Sequence, residues 1–461
     1  MARCVVFDMK HAIVLGGSMA GLVTARVLAK HYARVTVVEQ DPLPEPMKPR
    51  RGVPQGRHTH GLLAGGGQVL EALFPGLSAD LQRAGAVPSD MARDVRWFHA
   101  GGCLARFRSG LDGFVLSRPL LETAVRLRVA ALANVRFLMG ERVDGLFASA
   151  NRSRIVGAKV GGEEWSADLV VDATGRGSQS PMWLEMFGYS RPMEERVEVA
   201  LAYTTRLFRW RPEHLDGDAA AVIPPTPSGK RGGVMLRQEG DRWTVTLIGH
   251  FGQHAAEDLD GFIEYAGKLP APYIHEVVRQ AEPIGEACSA RFPASLRRRY
   301  ERLERFPEGY LVVGDAMCSF NPIYGQGMSV AAMEARALHG CLEQGAGRLA
   351  PRFYAEAAKI VDIPWAIAVG NDLRMPETVG PRSVGVRFIN WYMEQLHMAA
   401  HEDEVVSMAF HQVANLLASP PSVMAPGVAW RVAKRRLFGG PSLVFNGQSR
   451  FGGSIPQSEK S

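Results

Sequence analysis

Cysteine is scarce in this chain. Five residues in 461, namely Cys4, Cys103, Cys288, Cys318 and Cys341, are scattered and form no C-x-x-C pair. An odd, dispersed set excludes a disulfide framework and a cysteine-built zinc site, and fits a reducing compartment. Long apolar runs are missing too: no window approaches about 18 uninterrupted apolar residues, so no spanning helix is expected. The opening MARCVVFDMKHAIVLGG lacks the apolar run and small-residue cleavage site of a secretory signal. The chain therefore reads as cytoplasmic. Excess charge of one sign is also absent, since 53 Lys and Arg stand against 47 Asp and Glu for a net +6. That is mild for this length and argues against a nucleic-acid partner. Two basic clusters, Arg297–Arg299 and Lys434–Arg436, are expected on solvated helix faces. The second lies beside Trp430 and Leu437, which leaves peripheral contact with a membrane surface as an alternative.

What is present is the composition of a globular enzyme, 46% hydrophobic and 22% charged, in a chain long enough for more than one substructure. HAIVLGGSMAGLVTARVLAKHYARVTVVEQD reads strand, tight turn, helix, strand. Ala12–Leu15 and Val35–Val38 form the apolar strands, and Leu22, Ala25, Leu28 and Ala29 have helical spacing. Such a βαβ unit implies a parallel sheet. LSRPLLETAVRLRVAAL has the pattern of an amphipathic helix, and ADLVVDATGRGSQS that of a buried strand entering a turn. Between about 187 and 292 the pattern alternates, as in VEVALAYTTRLF and RWTVTLIGHF, which predicts a mostly antiparallel layer. From Leu338 to about Gly440 it is helical, and the last twenty residues read as a loose tail.

Three stretches carry chemistry. In Gly16-Gly17-Ser18-Met19-Ala20-Gly21, small residues sit between a strand and a helix, where free amides and the helix N-terminus suit a pyrophosphate. The dinucleotide fingerprint has glycine at its third position, where this chain has Ser18. Glu39, 23 positions after Gly16 with Gln40 beside it, is placed for a ribose 2′-OH and against a 2′-phosphate. The second stretch is GYLVVGDAMCSFNPIYGQGM, in which Asp315 ends a strand and Pro322, Gly325, Gln326, Gly327 and Met328 lead into a helix. The third, RRGVPQGRHTHGLL, places His58 and His60 in a polar loop. Two histidines one residue apart also suit a metal. No acidic or cysteine partners accompany them, so none is assigned, and hydrogen bonding to the backbone is the alternative use. No G-x-S-x-G, Walker loop or H-E-x-x-H occurs.

The G-D-A and N-P-I-Y-G-Q-G-M elements resemble the flavin-binding motif of the FAD-dependent aromatic hydroxylases and their relatives. The resemblance implies that Asp315 binds a ribityl hydroxyl of FAD and that Gly325–Met328 cradle the flavin pyrimidine edge. Arg50 in RRGV resembles the family's FAD-contacting arginine loop, and Arg118 in LSRPLLE its helix-start arginine near the pyrophosphate. Asp172-Ala173-Thr174-Gly175 resembles the middle D-G motif, which serves FAD and NAD(P)H. Ala173 and Thr174 are inserted between Asp172 and Gly175, so the FAD part carries over better than the nicotinamide part. RRGVPQGRHTHGLL, DATGRGSQSPMWLEMFGY and NPIYGQGMSVAA look most like the flavin epoxidases of polyether biosynthesis.

The expected fold is α/β: a Rossmann-like FAD-binding domain with a parallel sheet, an inserted, mostly antiparallel β substrate layer, and C-terminal helices. FAD-binding parts are expected at 10–90, 115–186 and 293–345, substrate-layer strands at 91–114 and 187–292, helices at 346–440 and the tail at 441–461. The expected function is a monooxygenase, with O₂ adding to reduced FAD as a C4a-hydroperoxide that epoxidises an alkene or hydroxylates a ring. NAD(P)H donates the electrons, directly or through a separate flavin reductase. The flavin performs the hard step, so His58 and His60 are the only candidate catalytic side chains. Met182, Trp183, Met186, Trp210, Trp365, Trp391 and Met393 suit a lipophilic pocket or ordinary core. Alternatives are a reductase of isoprenoid-like double bonds, resembling the geranylgeranyl reductases, a flavin halogenase, whose G-W-x-W-x-I-P motif is absent, and a non-catalytic nucleotide-binding protein.

Overall fold

The computed structural model describes residues 10–42, 45–380 and 382–438. The expected tail at 441–461, together with Cys4, Pro44 and Pro381, lies outside the described residues. The chain opens with β1 (His11–Leu15), α1 (Met19–Leu28) and β2 (Arg34–Glu39). Next come α2 (Ala64–Leu73), α3 (Leu77–Arg83) and short strands β3 (Val87–Asp90), β4 (Val95–His99), β5 (Gly102–Cys103) and β6 (Asp112–Val115). The predicted amphipathic helix is α4 (Arg118–Ala130), started by Ser117, whose side chain accepts from the Leu120 amide at 3.2 Å. It leads to β7 (Val135–Met139), a three-stranded excursion of β8 (Val143–Ala148), β9 (Ile155–Val160) and β10 (Glu163–Ser166), then β11 (Leu169–Asp172) and α5 (Ser180–Met186).

The alternating region supplies β12 (Glu194–Arg209), β13 (Ala220–Ile223), β14 (Arg231–Gln238) and β15 (Arg242–His250). Helices α6 (Leu259–Gly267) and α7 (Tyr273–Val278) precede β16 (Pro283–Arg298). Strands β17 (Tyr310–Val312) and β18 (Cys318–Ser319) return to the first layer, and α8 (Gly327–Glu343), α9 (Leu349–Asp372), α10 (Val384–Ala399), α11 (Glu404–Ala414) and α12 (Pro426–Phe438) complete the order.

Two large sheets result. The first is parallel, in the order β17-β11-β1-β2-β7. Strands β1, β11 and β17 are short and fully buried and β2 nearly so, as expected of a parallel sheet; α1 packs on β1 and β2, and α4 on the part-exposed edge strand β7. Leu15 pairs with Asp172, and Asp172 with Val312, so β1, β11 and β17 end at one level. That register sets three turns side by side, at Gly16, Gly175 and Gly314. The second sheet, β18-β16-β12-β15-β14-β13-β4-β5, is antiparallel except where β13 meets β4. It packs α6 and α7 on one face around fully buried Trp243 and Phe262. Strand β16 continues past 292 to Arg298, keeping its pairing with β12 across two register shifts.

One expectation is corrected here. Arg297 and Arg298 lie on β16 and not on a helix, and with Arg299 they are buried. Glu194, Glu195, Glu301 and Asp362 pair with them. Three adjacent guanidinium groups are tolerated inside because each has a carboxylate partner. The other cluster does sit on α12, where Arg436 covers the Trp391 ring at 4.8 Å. Among the described residues no helix is long and apolar enough to cross a membrane.

Candidate flavin and substrate cavity

A cavity of about 1280 Å³ lies between the parallel sheet, the antiparallel sheet and the C-terminal helices. At one end it is lined by Ser18, Met19 and Ala20 at the start of α1, by Arg118 at the start of α4, and by Thr174–Gly177 after β11. Asp315 and the Pro322–Met328 turn before α8 complete that end. His58 and His60 project from the polar loop onto the same wall. Most of the residues singled out from sequence therefore meet in one place, although they run from Ser18 to Met328 along the chain.

Why the turns converge is a matter of close packing. Gly16 has φ +97°, and a Cβ there would stand 2.6 Å from the Ala173 carbonyl oxygen. A Cβ on Gly314, with φ +62°, would reach the Ala20 Cβ at 2.7 Å. Glycine thus lets three strand ends press together and opens two helix N-termini on the same space. Ser18 caps α1 and Gln326 caps α8, yet neither side chain hydrogen-bonds to its helix. The first-turn amides of both are left for another acceptor. Asp315 lies between these helix starts with its side chain exposed to the cavity. Burial pushes its carboxyl up, against the pull of Arg118 and Arg176. Among the described residues the Arg118 Nε has no hydrogen-bond partner, with Glu122 3.8 Å away. Two free helix N-termini and the Arg118 guanidinium offer donors, and one carboxylate offers an acceptor, for an anionic, hydroxyl-rich ligand with a dinucleotide's spread. The residues present fit FAD.

Other candidates lie apart from the cavity. Glu39 is buried and takes the Gly17 and Asp41 amides, each at 2.9 Å, and the Arg50 guanidinium at 2.8 Å. Arg50 also contacts Asp41 and Glu122, and Arg126 donates to the Gly17 carbonyl at 2.6 Å. Arg50 and Arg126 with Glu39, Asp41 and Glu122 form a charged cluster that reaches the cavity only through Arg118, which faces Glu122. Gln40 is exposed. Asp172, with no exposed surface, accepts from the Thr174 amide, the Thr174 and Ser178 hydroxyls and Ser180. It organises the turn that carries Gly175 and does not line the cavity. Gly21 packs tightly: a Cβ there would meet the Gly16 carbonyl oxygen at 1.8 Å.

His58 shares a hydrogen bond with Thr205 at 2.8 Å and sits edge-on to Tyr203, and burial lowers it to about 4. His60 approaches the His58 carbonyl at 3.0 Å through Nδ1, and burial, then Arg118, lower it to about 3. Both rings are neutral near pH 7, and that contact assigns the His60 proton to Nδ1. They tie the loop to β12 and to itself. Among the described residues no group of three or more His, Cys, Asp or Glu is placed to hold a metal ion.

Several residues escaped the sequence reading. Arg176, one position beyond the quoted D-A-T-G, lies over the Phe292 ring at 4.4 Å. Glu122 and Arg126 continue the i, i+4 stripe begun by Arg118, a signal legible in LSRPLLETAVR. Glu334 on α8 is buried and accepts the Gly314 amide at 2.7 Å, and burial raises it to about 8. Its folded-state proton is held above the ordinary 4.5. Stability is therefore lost as pH rises from about 4.5 through about 8. Glu334→Gln is expected to raise the midpoint of thermal unfolding of the cofactor-free protein at pH 8 by roughly 2–4 °C. The gain should vanish near pH 4.5, and a gain independent of pH would contradict this.

No protein-family model matches the chain. Protein Rv3254 of Mycobacterium tuberculosis (strain ATCC 25618 / H37Rv) is 35% identical over 428 residues, covering 89% of this chain and 90% of its own length. The chain belongs to the family of Protein Rv3254. Among solved structures, PqsL, a probable FAD-dependent monooxygenase from Pseudomonas aeruginosa, matches with TM-score 0.61 at 19% identity, over 79% of this chain and 97% of its own. The flavin-dependent brominase Bmp2 matches at 0.63 and 15%, over 92% and 99%. p-Nitrophenol 4-monooxygenase PnpA from Pseudomonas putida DLL-E4 matches at 0.61 and 15%, over 89% and 99%. The fold is thus that of FAD-dependent monooxygenases and flavin halogenases, as the resemblance implied.

Proposed function

We propose that this member of the Rv3254 family is an FAD-dependent monooxygenase that places one oxygen atom from O₂ into a lipophilic small molecule, by alkene epoxidation or ring hydroxylation. One observation carries the reading: Asp315 and two uncapped helix N-termini face a cavity that continues into apolar space. When bound, FAD supplies the redox chemistry, activating O₂ after reduction by NAD(P)H or by a separate flavin reductase. The residues do the rest. Asp315 holds a ribityl hydroxyl, the start of α1 and Arg118 take the pyrophosphate, and the amides of Gly325–Met328 with the N-terminus of α8 stabilise negative charge on the reduced ring. Leu236, Ile248, Phe320, Ile367 and Met393 line the further space and keep water from the reacting atoms. Neutral His58 and His60 orient the loop and carry no proton to the product.

The shared fold also supports a halogenase, as for Bmp2, and a flavin site of this kind serves double-bond reduction equally well. Oxygen separates them. Turnover of an accepted substrate under ¹⁸O₂ is expected to put one labelled atom in the product, whereas product without label overturns the monooxygenase reading.

A further inference from the structure

The far end of the cavity holds four polar side chains with no use in binding FAD. Trp97 and His99 come from β4, Arg374 from the turn just after α9, and His397 from α10, and all four line the cavity. The rings are stacked: His99 lies on His397 with centroids 4.2 Å apart and planes 25° apart, Trp97 is parallel to His99 at 6.2 Å, and Phe410 closes the edge of both histidines. His397 is 4% exposed. Among the described residues the buried Trp97 Nε1, His99 Nε2 and His397 Nε2 have no hydrogen-bond partner.

Arg374 adds a charge. Among the described residues no carboxylate lies within ion-pair distance of its guanidinium. Asp372, two positions earlier, is already held by Asn321 at 2.8 Å and Tyr324 at 2.9 Å, and burial pushes it up to about 7, which weakens its negative charge. The guanidinium is near both rings. Burial and then Arg374 lower His99 to about 3, while burial, then His99, then Arg374 hold His397 well below its ordinary range. The chemistry is one-sided. An indole N–H and a guanidinium can only donate, and a neutral imidazole has one donor to offer. Unpaired buried donors beside an uncompensated cation call for an acceptor that carries negative charge.

We propose that Trp97, His99, Arg374 and His397 form an oxyanion subsite that binds the acidic head group of the substrate, a carboxylate or an ionised phenol or enol. The proposal rests on the reading of this cavity as substrate space and narrows the substrate from lipophilic molecules to lipophilic acids. The Asn321–Asp372–Tyr324 bonds join the end of α9 to the Pro322–Tyr324 turn at the flavin end, so the subsite is fixed relative to the reacting centre. The apolar body of the acid then lies along Phe320, Ile367, Met393 and Val423.

Calorimetric titration of the FAD-loaded protein with naphthoate, naphthol and naphthamide tests it, with FAD affinity measured in parallel for every variant. The acid, or naphthol above its pKa, should bind about tenfold or more tightly than the neutral amide. Arg374→Met should abolish that preference while leaving the amide and FAD unchanged, and Arg374→Lys should keep part of it. His397→Phe should weaken the acid and not the amide. Tighter binding of naphthoate alone identifies carboxylates, and of ionised naphthol alone phenols or enols. No preference for either anion over the amide, including no binding of any probe, overturns the subsite, as does an Arg374→Met protein that binds the acid as before. Failure to bind FAD at all would instead overturn the reading of the cavity.

Discussion

Asp315→Ala is expected to weaken FAD binding by about 10–100-fold, the loss of one charge-assisted hydrogen bond of roughly 1.5–3 kcal/mol. The argument is local. Asp315 stands between the starts of α1 and α8 and meets the cavity, and among the described residues nothing hydrogen-bonds its carboxylate, which feels only the attraction of Arg118 and Arg176. Its carboxyl is raised rather than stabilised by these surroundings, so it adds nothing to the cofactor-free fold, and a ligand hydroxyl that donates to it gains the bond. The cofactor-free variant should therefore unfold at the wild-type temperature or above it, while its affinity for FAD falls. Asp315→Asn, which keeps an acceptor but not the charge, should lie between. Equilibrium dialysis and thermal unfolding check the two halves, and an alanine variant with wild-type affinity would show that the carboxylate does not touch the cofactor.

The second large effect is the reverse pattern. Gly21→Ala should lower the stability of the cofactor-free protein by about 1–3 kcal/mol, the usual cost of overpacking, and lose FAD as well. Its Cβ would stand 1.8 Å from the Gly16 carbonyl oxygen, a backbone atom that can retreat only if α1 moves off β1. The displacement would also disturb Ser18–Ala20, which line the cavity. Circular dichroism melts and FAD titration on the same sample separate this variant from Asp315→Ala. Unchanged melting would show that the turn has room the structure does not give it.

These two residues also show what a sequence can disclose. The parallel sheet was legible because β1, β2, β11 and β17 are contiguous apolar runs, each followed by glycine or an acidic residue where the chain turns. Asp315 and Gly325–Met328 were legible for the same reason, since a carboxylate and a glycine bend at a strand end are a local pattern. Glu39 and Asp172 were equally conspicuous, but the signal there gave the residue and not its surroundings. Only the folded chain shows Glu39 inside a cluster with Arg50 and Glu122, and Asp172 bound to Thr174, Ser178 and Ser180.

Arg297–Arg299 misled because a run of charge looks solvated until its partners arrive from β12 and from Asp362 on α9. The Trp97, His99, Arg374 and His397 group had no local signal at all. It joins β4 to the ends of α9 and α10 across some 300 positions, and no periodicity within any one segment predicts such a meeting. Strand β16 runs to Arg298, beyond the alternating stretch, and its pairing with β12 shifts register between Ala294 and Phe292.

The central claim is that the cavity holds FAD against Asp315 and the two helix starts. Its most direct test is titration of the cofactor-free protein with FAD, followed by the quenching of flavin fluorescence, in wild type and in Asp315→Ala. The account predicts saturable, one-to-one binding by the wild type and a midpoint shifted at least about tenfold in the variant. Absence of binding by the wild type, or coincident curves for the two proteins, would contradict it.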